Sequence, residues 1–243
     1  MTDAPARAAE AEALEVLATG DLDVIGLLPH ASNYTFLAEV SLGSRSVRVV
    51  YKPRDGEMPL WDFRVGTLCR REVAAYVLAK ALGWPNVPQT VLRDGPMGAG
   101  SVQLFVGHDP REHYFTLRDR WTDAFREVAA FDVVVGNGDR KSGHCLAGDD
   151  GRIWAVDHGL CFNVEPVLRT VIWDFAGHAV PRALLDDVAR IAGELDDGRM
   201  RMALLELLDP EEVDATSRRA RALVEAGTFP VPGLGRSRPW PAI

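Results

Sequence analysis

Cysteine is scarce: the chain of 243 residues has three, Cys69, Cys145 and Cys161. An odd, small number is not a disulfide framework, so reduced thiols and a cytoplasmic setting are expected. Positive charge is also in deficit, with 27 Lys and Arg against 35 Asp and Glu and a formal net charge of -8. That balance works against broad binding to nucleic acid or to an anionic membrane, and points to small molecules or proteins as partners. Long apolar runs are missing as well. No stretch approaches the roughly 20 apolar residues that span a bilayer, and the first residues lack a basic segment followed by an apolar core. Neither secretion nor membrane insertion is expected. What remains is a globular composition, 47% hydrophobic, sufficient for one good-sized core or two small lobes.

The apolar pattern changes character along the chain. Residues 1–20 are rich in Ala and Glu with helical propensity, but Thr2–Ala9 carry little apolar pattern and are expected to fray, so the segment is read as a flexible N-terminal one. Asp23–Leu28, Tyr34–Val40 and Val47–Lys52 are β-rich and separated by turn-prone residues, which predicts a three-stranded meander. Apolar and small residues at Leu68, Val73, Ala74, Val77, Leu78 and Ala81 repeat at helical spacing within Gly66–Leu82, and Gly83 closes the helix. Two more strands are expected over Val87–Leu92 and Ser101–Val106. After the break at Gly107-His108-Asp109-Pro110 the chain is mainly helical: Arg118–Val135, Arg182–Leu195, Arg199–Leu208 and Pro210–Glu225, with a hairpin through Gly148–Gly151 between the first two. The expected architecture is α+β: a β-rich N-terminal lobe over 21–107, a mainly helical C-terminal lobe over 108–228, and a Pro-rich extended tail over 229–243.

Two short motifs in the second half carry chemistry. The first is Gly136-Asn137-Gly138-Asp139-Arg140-Lys141-Ser142-Gly143-His144; the second, Val156-Asp157-His158-Gly159, follows the apolar run Ile153-Trp154-Ala155. A kinase catalytic loop carries an Asp that orients the attacking hydroxyl and, five positions later, a metal ligand. A strand-end Asp followed by x-Gly supplies the second metal contact. Asp139 and His144 have that spacing and Asp157 that context, which points to phosphoryl transfer. His144 departs from the usual Asn: an imidazole nitrogen suits manganese or zinc better than magnesium. His158 stands where Phe is usual and is assigned to packing.

The order of these motifs, preceded by Lys52 at a strand end and Glu72 on a helix, resembles the phosphatidylinositol 3- and 4-kinase-like superfamily together with the HipA-like kinases, and more closely a kinase-like family from actinobacteria. The resemblance covers about Asp21 to Gly177. It implies a bilobal protein-kinase-like fold, ATP with Mg2+ or Mn2+ as cofactors, and a division of roles. Lys52, held by an ion pair with Glu72, would bind phosphates. Asp139 and Lys141 would be catalytic, and Asp157 with His144 would hold metal. Ser32 and Asn33, in the glycine-free loop after the first strand, would donate to phosphate oxygens, and Leu104 and Val106 would offer hinge backbone to adenine. Many Ser/Thr protein kinases place a lysine where Lys141 stands, whereas His is expected there in phosphatidylinositol kinases. This mixture leaves lipid and protein acceptors open.

These residues imply an ATP- and metal-dependent phosphotransferase acting on a hydroxyl of a protein or soluble small molecule rather than inositol lipid. Two alternatives remain: a nucleotide-binding pseudokinase with a regulatory or scaffold role, prompted by His144 and the glycine-free loop, and an AMP transferase on the same fold. Trp173-Asp174-Phe175 falls where a substrate loop would lie, though core packing is the expectation. His144, Cys145, His158 and Cys161 lack the usual Cys-x-x-Cys turn of a zinc site, so the two cysteines are read as buried small apolar groups.

Overall fold

The computed structural model describes residues 4–28, 33–233 and 235–242. It divides into two units: the residues up to Tyr76 with Pro88–Phe105, and Val77–Val87 with the chain from Val106 onward.

In the first unit α1 (Ala4–Thr19) leads into an antiparallel sheet of β1 (Asp21–Leu27), β2 (Phe36–Leu42), β3 (Arg45–Pro53), β4 (Thr90–Gly95) and β5 (Gly98–Leu104), in the order β1-β2-β3-β5-β4. Strand periodicity decides which side chains meet. Val49 pairs with Ala38, and Tyr51 with Phe36 on one side and Val102 on the other, so alternate residues line one face. Ala38, Val40, Val49, Tyr51 and Val102 form the core there with Leu22 and with Val16 and Leu17 of α1. Lys52 falls between Tyr51 and Pro53, both buried, and its side chain leaves the opposite face of β3. Arg93 of β4 closes α1: its Nη1 donates to the carbonyls of Leu17 at 3.0 Å and Gly20 at 2.7 Å, a cation on the acceptor end of a helix. Gly20 is required at that corner, because a Cβ there would stand 2.7 Å from the Ser41 carbonyl.

α2 (Leu68–Leu82) begins in the first unit and ends in the second. The second unit continues with α3 (Tyr114–Leu117), α4 (Thr122–Val135), the hairpin β6 (Cys145–Ala147) and β7 (Ile153–Ala155), then α5 (Arg182–Asp197), α6 (Arg199–Leu205) and α7 (Pro210–Ala226). α4 buries Phe125, Val128, Phe131, Val134 and Val135 along one stripe and stops at Gly136, whose φ of 61° is left-handed. α7 starts on a reciprocal cap between Asp209 and Glu212 with Pro210 in its first turn. Its Arg219 reaches back to α4, donating to the Val134 carbonyl at 2.9 Å and the Asn163 carbonyl at 2.8 Å. Burial holds that guanidinium's pKa down at about 10.

Several expectations need correction. The helical propensity of the first twenty residues is realised over Ala4–Thr19, but the end of that helix is not loose, because Val16 and Leu17 are core residues. The chain passes from the first unit to the second between Phe105 and Val106, close to residue 107, and Val77–Val87 is grouped with the second unit as well. There Trp84 Nε1 donates to Asp187 at 3.0 Å, Arg190 to the Ala81 carbonyl at 2.9 Å, and Asn86 to the Ile153 carbonyl at 3.0 Å. The fourth strand begins at Thr90, after Pro88, which has no N–H for a ladder. Val106 lies beyond β5. The helix expected over Arg118–Val135 starts at Thr122, since Arg118 turns to Asp174 at 3.0 Å. α6 ends at Leu205, short of Leu208.

Candidate active site

In the first unit, Lys52 near the end of β3 forms an ion pair with Glu72, one turn into α2. The Glu72 side chain is 3% exposed and that of Lys52 23%, so the carboxylate is buried against a lysine whose ammonium still reaches solvent. α2 is steadied at its start by Glu57, which accepts the Cys69 N–H at 2.9 Å, satisfying a first-turn donor. Asn33 uses its Oδ1 to accept the Met58 N–H at 2.8 Å; its carbonyl-like oxygen therefore shapes the loop. Ser32 lies outside the described residues. Leu104 donates its N–H to Gln89 at 2.9 Å, and Phe105 donates to Arg48 at 2.9 Å. These amides are committed to the sheet, so Leu104 has only its carbonyl side to offer a base.

In the second unit, the loop after α4 is fixed by its own side chains. Asn137, buried, donates to Asp132 Oδ1 at 2.9 Å and accepts the Asp139 N–H at 2.9 Å. The second of these bonds is an Asx turn that presents the Asp139 carboxylate. Arg140 then runs inward, fully buried, and donates to both Asp132 oxygens at 2.9–3.2 Å, to the Val156 carbonyl at 2.6 Å and to His158 Nε2 at 2.8 Å. One guanidinium thereby joins α4, the Asp139 loop and the Asp157 loop. Burial works against its charge, but the Asp132 carboxylate outweighs this and raises its pKa. Because Arg only donates, His158 must accept at Nε2 and is a neutral ring with its proton on Nδ1. Its ring also meets Phe131 edge-on with centroids 5.6 Å apart.

Asp139 faces Lys141 Nζ at 3.2 Å. Burial raises the Asp139 pKa above the ordinary aspartate value and the nearby Asp157 charge adds to this, while Lys141 and Arg236 pull it down without cancelling it. Asp157, just past β7, takes a φ of 61° and keeps its side chain 46% exposed. A left-handed aspartate is tolerated but unusual, and such outliers gather at functional sites. The left-handed residue of this motif is Asp157 itself and not Gly159. His144 Nδ1 accepts the Lys141 N–H at 3.3 Å, which puts the proton on Nε2, 3.1 Å from Asp157 Oδ2. In this arrangement the His144 ring orients the Asp157 carboxylate.

No three His, Cys, Asp or Glu side chains converge as a ready-made cage among the described residues. Asp157 nevertheless fits a hard cation: an exposed, oriented carboxylate is what magnesium takes when phosphates and water complete its shell. Cys145 and Cys161 are fully buried, and burial pushes the Cys145 thiol up to about 12. The Trp173-Asp174-Phe175 stretch splits its roles. Phe175 packs on Phe229, centroids 5.6 Å apart, Asp174 takes Arg118 and the Tyr114 hydroxyl, and half-buried Trp173 donates to the Ser237 carbonyl at 3.1 Å. The sequence reading missed Asp132 and the Arg140 hub. An Asp seven positions before Asp139, on the otherwise apolar face of α4, was the available signal.

Comparison with known proteins agrees with this layout. The family model for phosphatidylinositol 3- and 4-kinases matches residues 67–205, which includes Glu72, Asp139 and Asp157 but not Lys52. Protein Rv2133c of Mycobacterium tuberculosis is 41% identical over 94% of this chain and 94% of its own. Phosphatidylinositol 4-kinase gamma 4 of Oryza sativa subsp. japonica is 31% identical over 44% of this chain, which is 22% of that protein. Among solved structures, the Golgi casein kinase with manganese and ADP bound superposes over 90% of this chain and 75% of its own, with a TM-score of 0.54 and 13% identity, a likeness of fold. From its matching family model and its buried, ordered motif loops, the chain belongs to the phosphatidylinositol 3- and 4-kinase family and has a kinase-like α+β fold.

Proposed function

We propose that this protein transfers the γ-phosphoryl group of ATP, with a divalent metal, to a hydroxyl on a protein or soluble small molecule. The observation that carries the proposal is the pair of carboxylate loops tied to one buried guanidinium: Arg140 follows Asp139 directly and bonds the carbonyl of Val156, the residue before Asp157. Asp139 accepts the hydrogen bond of the acceptor hydroxyl, aiming its oxygen at the γ-phosphorus. As that oxygen–phosphorus bond forms, the bond to the β,γ-bridging oxygen breaks, ADP leaves, and the hydroxyl proton passes to Asp139 or water. Lys141 sets a positive charge beside the transferring group; the Lys52–Glu72 ion pair of the first unit is the phosphate-binding cation that the family resemblance implies. Asp157 holds Mg2+ or Mn2+, with His144 fixing its orientation; the ion supplies charge neutralisation on the phosphates. Inositol lipid is the less suitable acceptor, because its anionic headgroup meets a protein of net charge -8.

A second reading, a nucleotide-binding pseudokinase, is favoured by one observation: His144 spends its Nε2 on Asp157, leaving the second metal position without its usual oxygen donor. Product analysis separates the readings, and also an AMP transferase. Incubation with ATP and Mg2+ or Mn2+, resolving ADP, AMP and pyrophosphate, should give ADP that disappears in Asp139→Ala and Asp157→Ala. Pyrophosphate would indicate AMP transfer, and nucleotide binding without either product under both metals would favour the pseudokinase.

A further inference from the structure

The C-terminal stretch, free of helix and strand among its described residues, makes specific backbone contacts. It is anchored at Phe229, which is buried against Phe175 and exchanges backbone bonds with Gly177 at 3.0 Å and His178 at 2.9 Å. Beyond Gly233, residues 235–242 cross the loops that carry the candidate catalytic groups. The Thr170 N–H donates to the Ser237 carbonyl at 3.1 Å and the Ser142 N–H to the Ala242 carbonyl at 2.9 Å. Trp173 Nε1 adds a second donor to Ser237, at 3.1 Å. Ser142 lies three residues after Asp139, and Thr170 bridges Arg140 in parallel. The tail thus lies on both segments that flank Asp139. Its bonds to them run through its backbone carbonyls, as in recognition of extended chains. Beside the start of this segment, Val167, Arg169 and Trp173 face Val231 and Arg236 across an open groove of about 330 Å³.

Charge matches the placement. In a chain of net charge -8, residues 234–243 contain two Arg and no acid, and Arg236 lies close enough to Asp139 to pull its carboxyl downward.

We propose that the face formed by Asp139–Ser142 and Thr170–Trp173 is a docking surface for an extended, basic polypeptide, and that residues 235–242 of this chain occupy it in cis. The proposal rests on the phosphotransferase reading for its consequence, which is that a polypeptide acceptor must displace the tail. Tethering at Phe229 gives the tail a high effective concentration over the face, so a weak intrinsic contact is enough to keep it seated. Exposed Gly233 and Gly235 provide the joint about which it would leave.

The test uses the full-length protein and a full-length variant carrying Arg236→Glu and Pro239→Gly, with Trp173→Phe as a second variant that removes one donor and keeps the ring. Amide exchange at Ser142 and Thr170, and binding of a labelled synthetic peptide of residues 235–242, are measured on all three. Release of the tail predicts at least tenfold faster exchange at both amides in the tail variant. It also predicts at least tenfold tighter binding of the peptide in trans than to wild type, and a smaller gain in exchange for Trp173→Phe. Unchanged exchange at both amides, or equal peptide affinity for wild type and tail variant, overturns the proposal. ADP formation on the same samples reports the phosphotransferase reading separately. Fast exchange and tight peptide binding without ADP would leave the docking surface and remove the kinase.

Discussion

At the residue scale, two aspartates in one loop system have opposite relations to the fold. Asp132 is buried and paired with Arg140, so removing it leaves an uncompensated buried charge. Asp132→Asn is expected to cost about 3–5 kcal/mol, read as a lowered denaturant midpoint. Asp139 has a raised pKa, so its charge is a burden on the folded state above the unfolded pKa, and the burden disappears as pH falls through the folded value. Asp139→Asn should therefore leave the unfolding midpoint at or above that of wild type while lowering turnover about 100- to 10,000-fold. The same shift sets the acid limb of the pH–rate profile: activity requires the carboxylate, so it should fall away at higher pH than for an ordinary aspartate. Lys141→Met removes the principal group that pulls Asp139 down and should move that limb further up; an unmoved or lowered limb would refute Asp139 as the titrating group. His144→Ala, by freeing Asp157, should cost about 10- to 100-fold in activity, seen most clearly as weakened metal dependence.

At the scale of elements, the division of labour was legible where one local rule acted alone. Alternating apolar residues gave β2 and β3, and helical spacing with Gly83 gave α2, each within two or three residues of its observed end. The motif loops were legible because their chemistry requires particular residues at fixed spacing. Contacts between distant elements were not. The sparse apolar pattern of residues 1–20 conceals that Val16 and Leu17 pack on Ala38, Val40 and Val49, partners supplied by strands that follow. Leu17→Ala should cost about 2–5 kcal/mol; a change below 0.5 kcal/mol would show that α1 is dispensable. Arg140 is the same lesson within the site. Its neighbour Asp139 advertises chemistry, but only the folded chain shows that its guanidinium meets Asp132, Val156 and His158 at once.

At the scale of the whole molecule, family membership and site geometry together narrow the function without naming the acceptor. The family model supports kinase-like chemistry, and the local geometry adds Lys141 beside Asp139 and His144 bonded to Asp157. The chain is acidic overall, and its basic residues 235–242 lie over the Asp139 loop. The central claim, that Asp157 presents a carboxylate to a metal–nucleotide, is tested most directly by calorimetric titration of ATP into wild type and Asp157→Ala, with Mg2+, with Mn2+ and with chelator. The account predicts binding to wild type that strengthens at least tenfold with metal, and a variant in which that metal dependence is lost. ATP binding indifferent to metal, identical in the variant, or absent under every condition would contradict it.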